Sequence, residues 1–328
     1  MNTVNRSLKF FLLVAFVLLA IASCQNLLIK GSQPLIEQST IFSECRVVRH
    51  QLGQTCVPVE PKRIVALDPI YILDPLLSLG INPVGTAVDY WRGKRYWGGL
   101  SPDEAEGIEV IGQSYQPSLE KLLALKPDLI LGLTDVEQYY PQLSAIAPTV
   151  LLDYYKEVQF SFKKHLRAIA QIVGREANAE EVLARYQQRI ETLKAQIGNR
   201  LEGKEISVIY YSNGTFWTPG HQAVFFQILN DIGIRLKPIL AKDNLNTLPT
   251  FSIETIEQYD ADILFICDDD RKSESFFLEN PLISSLKVAQ DKRLYVVDGN
   301  LWRAYGPSVI DKIVDDLSKY LLKAIQNL

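Results

Sequence analysis

The chain has 328 residues, enough for two domains, and 47% of them are hydrophobic, so sizeable cores can be buried. Lys and Arg number 34 against 38 Asp and Glu, a formal charge of −4. That acidic balance argues against a nucleic-acid surface and against an anionic-lipid surface.

Residues 1–23 read as a lipoprotein signal peptide. Arg6 and Lys9 form a short basic region, and Phe10 to Ile21 is an apolar run. It is short for a stable span of the roughly 30 Å hydrocarbon core. The ending Ile21-Ala22-Ser23-Cys24 resembles a bacterial lipobox, which implies cleavage before Cys24 and lipidation of its thiol; a plain signal anchor is the alternative. Cleavage removes Arg6 and Lys9 and no acid, moving the formal charge from −4 to −6. The expected location is the cell membrane, lipid-anchored on its extracytoplasmic or periplasmic face.

Residues 24–57 read as a lipid tether and a Cys-containing extension. Cys45 and Cys56 flank a short, polar stretch, and an oxidising compartment permits them to pair. Cys267 ends the apolar run Ile263 to Ile266 and is expected as a buried free thiol. These cysteines lack the CxxC spacing and neighbouring histidines that zinc favours. No metal site is expected.

Residues 58–158 alternate strand and helix patterns, the mark of parallel βα units. Strands are expected at Lys62 to Leu67, Pro83 to Ala87, Asp128 to Leu133 and Thr149 to Leu152, with helices at Leu73 to Leu79, Ser118 to Leu125 and Val136 to Ile146. Residues 159–199 are almost entirely helix formers. Ala177 to Ile197 contains no Gly or Pro and would make a rod of roughly 33 Å, ended by Gly198. Residues 200–328 resume the alternation: strands at Glu205 to Tyr211, Asp262 to Cys267 and Arg293 to Val297, helices at Ala223 to Asp231, Ile253 to Gln258 and Ser308 to Gln326. The expected class is α/β, with two parallel-sheet lobes bridged by a single long helix and a rigid cleft between them.

An internal repeat supports two similar lobes. Ser118-Leu119-Glu120 and Ser252-Ile253-Glu254 each open a segment that reaches an Asp, Asp128 or Asp262, and then an apolar run. The copies lie 134 residues apart, too long for a solenoid repeat and the size of a domain.

Open parallel sheets bind ligands at the carboxyl ends of their strands. The segment Tyr90-Trp91-Arg92-Gly93-Lys94-Arg95-Tyr96-Trp97 follows the second strand, and its interleaved aromatics and cations suit a large, flat, anionic ligand. A solvated loop packed by its own aromatics is the alternative. Phe216 and Trp217 fall in a turn suited to a cleft rim, and Tyr154 and Tyr155 follow the last strand of the first lobe.

The segments PKRIVALDP, GINPVGTA, IGQSYQPSLEKLLALKPDLILG, FSIETIEQYDADILFI, NPLISSLKVAQDKRLYVVDG and LWRAYGP, in this order and spacing, resemble the substrate-binding proteins of ABC importers for ferric siderophores, haem and cobalamin. The resemblance runs from about Val57 to the C-terminus; the Cys45-to-Cys56 extension resembles cyanobacterial members. It implies a ferric siderophore or similar chelate as cargo and an ABC permease dimer as partner. The implied protein is a monomer with no cofactor, no enzyme activity and no nucleic-acid partner. Its ligand set would be Trp91, Arg92 or Arg95, Tyr96, Tyr139, Trp217, Trp302, Arg303 and Tyr305. Core packing is the alternative for Trp302 and for one of Tyr139 and Tyr140. Glu120 and Glu254, in the first turns of equivalent helices, would dock onto arginines of the two permease subunits, where simple complementation of the helix dipole is the alternative. The cations of the 90–97 segment point to an anionic siderophore.

Other functions meet specific obstacles. A zinc or manganese carrier needs a His/carboxylate cluster, and the three histidines, His50, His165 and His221, are scattered. An exported hydrolase would want a G-x-S-x-G elbow or a triad, and neither is evident. Haem, cobalamin or ferric iron held directly by tyrosines remain alternatives as cargo.

Overall fold

The computed structural model describes residues 45–91, 93–153, 161–219, 223–241 and 249–328. The signal peptide, Cys24, Arg92, Tyr154, Tyr155 and His221 lie outside them.

The first lobe is built on a sheet whose central strands are continuously apolar. Strands β3 (Ile64–Ala66) and β8 (Leu129–Leu133) are buried at every position, as strands covered on both faces must be. With β4 (Gly85–Trp91), β5 (Lys94–Tyr96), β6 (Glu109–Gln113), β7 (Gln116–Pro117) and β9 (Thr149–Leu152) they form one sheet in the order β7-β6-β4-β3-β8-β9, with β5 paired to β4. The β3, β4, β6, β8 and β9 pairings are parallel. The helix expected at Leu73 to Leu79 is preceded by a π-helical turn, Pro69–Leu73, and runs Asp74–Ser78. The one expected at Val136 to Ile146 is a 3-10 turn, Thr134–Tyr139, followed by an α-helix, Tyr140–Ile146.

The extension is an antiparallel hairpin, β1 (Cys45–His50) and β2 (Gly53–Pro58), closed by a Cys45–Cys56 disulfide. It packs on the edge strand β9, where the Thr55 hydroxyl donates to the Thr149 carbonyl at 2.8 Å. The buried Arg46 guanidinium donates to the Ile172 carbonyl at 3.0 Å. The hairpin therefore ties the sheet edge to the helical linker.

Two helices, Phe162–Val173 and Glu176–Ile197, join the lobes. Ser161 caps the first, and Gly174 ends it in the left-handed region at φ 68°. The second, of 22 residues, buries Ala179, Val182, Leu183, Tyr186, Ile190, Leu193 and Ile197 on one stripe. It packs against the Phe162–Val173 helix, the Val224–Ile232 helix and the C-terminal helix Pro307–Ile325.

The second lobe contains β10 (Glu205–Ser212), β11 (Thr215–Trp217), β12 (Arg235–Leu236), β13 (Thr250–Phe251), β14 (Ile263–Asp268) and β15 (Leu294–Asp298), ordered β13-β11-β10-β14-β15 with β12 on β10. Its β10-β14-β15 core is parallel. The buried Cys267 is a free thiol on β14.

The sequence repeat has a shared structural meaning. In the first lobe the Asp128 carboxylate accepts from the Lys62 and Arg63 amides, at 2.7 and 2.8 Å, at the start of β3. In the second lobe Asp262 accepts from the Glu205 amide at 2.9 Å, at the start of β10. Each Asp satisfies otherwise unpaired donors where a parallel strand begins. The helices they follow differ. Leu119–Leu125 is an α-helix capped by Ser118, whereas Ile253–Tyr259 is a 3-10 helix whose Ser252 hydroxyl turns onto Glu254.

The lobes also meet directly. The fully buried Asp74 of the first lobe accepts from the amides of Ser308 and Val309, at 3.0 and 3.2 Å, and so caps the C-terminal helix. A Cβ on Gly306 would collide with this carboxylate, which explains the glycine. Lys312 pairs with Glu104 at 2.6 Å across the same junction.

Candidate ligand-binding cleft

The cleft lies where the carboxyl ends of strands from both lobes face each other, around a cavity of about 450 Å³. The first lobe contributes Lys94, Arg95, Tyr96 and Trp97. The second contributes Asp269, Asp270 and Arg271 from the turn after β14, and Asp298 and Asn300 from the end of β15 onward. The segment expected as a loop over 90–97 is a β-hairpin, with Asp89 opposite Tyr96, Tyr90 opposite Arg95 and Trp91 opposite Lys94. A hairpin holds its cations on a paired backbone, so they are positioned more firmly than on a free loop.

Of the residues expected to meet ligand, Arg95 and Tyr96 line the cavity. Arg95 is exposed and forms no ion pair with the described residues. Tyr96 donates its hydroxyl to the Asn300 carbonyl at 2.9 Å, spanning from one lobe to the other. Burial pushes its phenol well above the ordinary value. Arg303 sits behind this wall, ion-paired with the buried Asp269 and placed over the rings of Tyr210 and Trp217 at 5.5 and 5.3 Å. Trp217 is half-buried and stacks on Tyr210 at 4.1 Å.

Three expected ligand residues are placed elsewhere. Trp302 is fully buried against Phe225 and Phe265, with its indole donating to Asp316 at 3.0 Å, so it packs the second-lobe core. Tyr305 is 5% exposed, accepts from Gln227 at 2.6 Å and rests on Tyr71. Tyr139 is half-buried and packs against the first lobe's core. Phe216, set at the rim in the sequence, is buried against Phe251. Arg92 and the Trp91 side chain lie outside the described residues.

The second-lobe acids went unnoticed in the sequence, although Asp268-Asp269-Asp270-Arg271-Lys272 directly follows an apolar strand. Asp268 accepts from the amides of Asp270 and Lys272 and so shapes that turn. In the first lobe, Asp68 caps the Pro69–Leu73 turn through the Ile70 and Tyr71 amides. Burial raises its carboxyl to about 7, with the Asp89 and Asp135 carboxylates adding to the shift. Among the described residues no group of three or more His, Cys, Asp or Glu side chains converges to hold a metal. Nor is any described helix long and apolar enough to cross a membrane. Glu120 and Glu254 are exposed, each in the first turn of its helix.

Known proteins share this architecture. "Probable siderophore-binding lipoprotein YfiY" of Bacillus subtilis (strain 168) is 29% identical over 97% of this chain and 98% of its own. The ferric-anguibactin-binding protein FatB of Vibrio anguillarum is 26% identical, over 90% of this chain and 95% of its own. Among solved structures, Staphylococcus aureus SirA complexed with staphyloferrin B matches at a TM-score of 0.68 and 26% identity, covering 84% of this chain and 98% of SirA. The description "Periplasmic binding protein" fits residues 64–301, which span both lobes and the helix between them. With two α/β lobes, a long bridging helix and a cleft at the strand ends, the chain belongs to the periplasmic binding protein family.

Proposed function

We propose that this chain is the extracytoplasmic substrate-binding component of an ABC importer, which captures a ferric siderophore and hands it to a membrane permease dimer unchanged. The observation that carries this reading is the cleft itself. Its volume of about 450 Å³ suits a small molecule, and it joins aromatic area to cations with no ion-pair partner among the described residues. The siderophore named for YfiY, FatB and SirA supports the same cargo class. A lipid on Cys24, with residues 24–57 as tether and extension, would hold a single copy at the membrane. Residues 58–158 and 200–328 form the two capturing lobes, and 159–199 the rigid link.

Direct ligation of iron by tyrosines is a weaker reading. Tyr96 is engaged with a backbone carbonyl and its phenol is pushed up by burial, which opposes the phenolate that iron ligation needs. Glu120 and Glu254, exposed at matching points of the repeat, are the acids for permease docking.

The test is recovery of the cargo. Protein isolated from iron-starved cells and then denatured should release an intact ferric chelate, identified by mass spectrometry. Release of a converted product, or of haem or cobalamin in its place, would contradict the proposal.

A further inference from the structure

Among the described residues, four other than glycine hold a left-handed backbone: Lys126, Asn213, Arg271 and Lys292, at φ 46°, 53°, 56° and 56°. That conformation crowds the Cβ of an L-residue against the backbone and is disfavoured. Three of the four have an ordinary local reason for it. Lys126 is the C-cap of the Leu119–Leu125 helix, and Lys292 follows the C-cap Asp291 of the Lys287–Gln290 helix. Asn213 shares with Gly214 the two-residue turn between β10 and β11, where such a backbone is required. Arg271 ends no helix and closes no hairpin; it lies between β14 and the Glu274–Leu278 helix.

The turn around Arg271 is fixed by its neighbours. The buried Asp268 carboxylate accepts from the Asp270 amide at 2.9 Å and also from the Lys272 amide. The Asp269 amide donates to the Tyr211 carbonyl at 3.0 Å, and the Asp270 carboxylate accepts from the Asn213 amide at 3.1 Å. With both flanks tied, position 271 is held left-handed, and glycine would be its unstrained occupant. An arginine stands there instead. It is exposed, it lines the cavity from the second lobe, and its guanidinium has no ion pair or hydrogen bond among the described residues. The fold bears the conformational cost of this residue without using its side chain. Strain of this kind is found where a ligand is held.

We infer that Arg271 is a ligand-contacting residue, kept in a strained backbone so that its guanidinium meets the cargo from the wall opposite Arg95. The planar fork donates to a carboxylate or chelating oxygen of the ferric siderophore. The pinned turn sets its direction before the ligand arrives. This assignment rests on the siderophore reading given above and names the group that grips the cargo from the second lobe.

The experiment compares Arg271→Asn and Arg271→Lys with the parent, as purified full chains, by urea midpoint and by fluorescence titration. The titration follows the indole signal to which the cavity-lining Trp97 contributes. Its probes are ferrichrome, ferric citrate and ferric enterobactin, and the variants are compared on the probe that the parent binds most tightly. Asparagine tolerates the left-handed region, so Arg271→Asn should melt at higher urea than the parent while binding the probe at least tenfold more weakly. Lysine keeps the charge and the strain but not the fork. Arg271→Lys should therefore match the parent's midpoint and bind between the parent and Arg271→Asn. Parent-like affinity in Arg271→Asn overturns the assignment and leaves the siderophore reading standing. A midpoint for Arg271→Asn at or below the parent's overturns the strain that carries the assignment. A parent that binds haem or cobalamin but none of the ferric probes overturns the siderophore reading and the assignment together.

Discussion

At the scale of single residues, Arg95 and Arg303 near the cleft have different work. Arg95 is exposed on the cavity wall, so its removal should touch the ligand and little else. Charge-assisted hydrogen bonds contribute about 1.5–3 kcal/mol each, so Arg95→Ala should weaken siderophore binding by roughly tenfold or more. Its urea midpoint should match the parent's. Arg303→Ala removes the cation that is ion-paired with the buried Asp269 carboxylate. Breaking a buried pair from one side costs about 3–5 kcal/mol, so this variant should melt well below the parent. Equal urea midpoints for the two variants would show that the cleft is not organised in this way.

Asp68 gives a pH signature. Its carboxyl is raised by burial from the ordinary 3.8 to about 7, so between those values the folded chain keeps a proton that the unfolded chain has lost. The contribution of Asp68 to stability is therefore full below 3.8 and is lost as pH rises through 7. Asp68→Asn can still accept from the Ile70 and Tyr71 amides through Oδ1. Relative to this variant the parent should lose stability between about pH 4 and about pH 7, measured by urea melts. A gap between the two proteins that stays constant with pH would refute the buried-proton account.

The residues of the cleft were only partly legible in the sequence. Arg95 and Tyr96 stood out because aromatics and cations cluster in one short segment. Asp270 and Asp298 did not, because single acids after strands are common and their convergence depends on how the lobes face each other. The burial of Trp302 likewise depends on Phe225 and Phe265, which are distant in the chain.

At the scale of elements, β8 and β14 were legible because a parallel strand covered on both faces is an unbroken apolar run. The helix Glu176–Ile197 was legible from its length without breakers. The hairpins were not. The β1-β2 and β4-β5 pairs carry polar residues along their length, and pairing of polar strands leaves no simple periodic trace. The difference between the α-helix at Leu119–Leu125 and the 3-10 helix at Ile253–Tyr259 was equally hidden, since both begin with the same triplet pattern. The β1-β2 hairpin makes a separable prediction. Its disulfide closes a short loop, worth about 3 kcal/mol in the chain-entropy model. Cys45→Ser with Cys56→Ser should lower the urea midpoint accordingly while siderophore affinity holds, because the hairpin packs on β9 and the linker rather than on the cavity. Loss of affinity in a folded variant would place the hairpin in the binding function.

At the scale of the whole molecule, capture and delivery should be separable. Glu120 and Glu254 are exposed and absent from the cavity lining. Reversing both, Glu120→Arg with Glu254→Arg, would set like charges against a basic permease surface, which suppresses association. Siderophore binding should stay near the parent value while uptake by cells fails. Normal uptake by the double variant would remove these acids from docking. The capturing step requires little lobe motion, because the bridging helix, the Asp74 cap on the C-terminal helix and the Tyr96–Asn300 bond all join the lobes. The central claim is that this cleft holds a ferric siderophore, and equilibrium titration of the purified chain with a panel of ferric siderophores, haem and cobalamin tests it most directly. One-to-one, saturable binding of a ferric siderophore at micromolar affinity or tighter is the predicted result; a chain that binds haem or cobalamin but no ferric siderophore would contradict it.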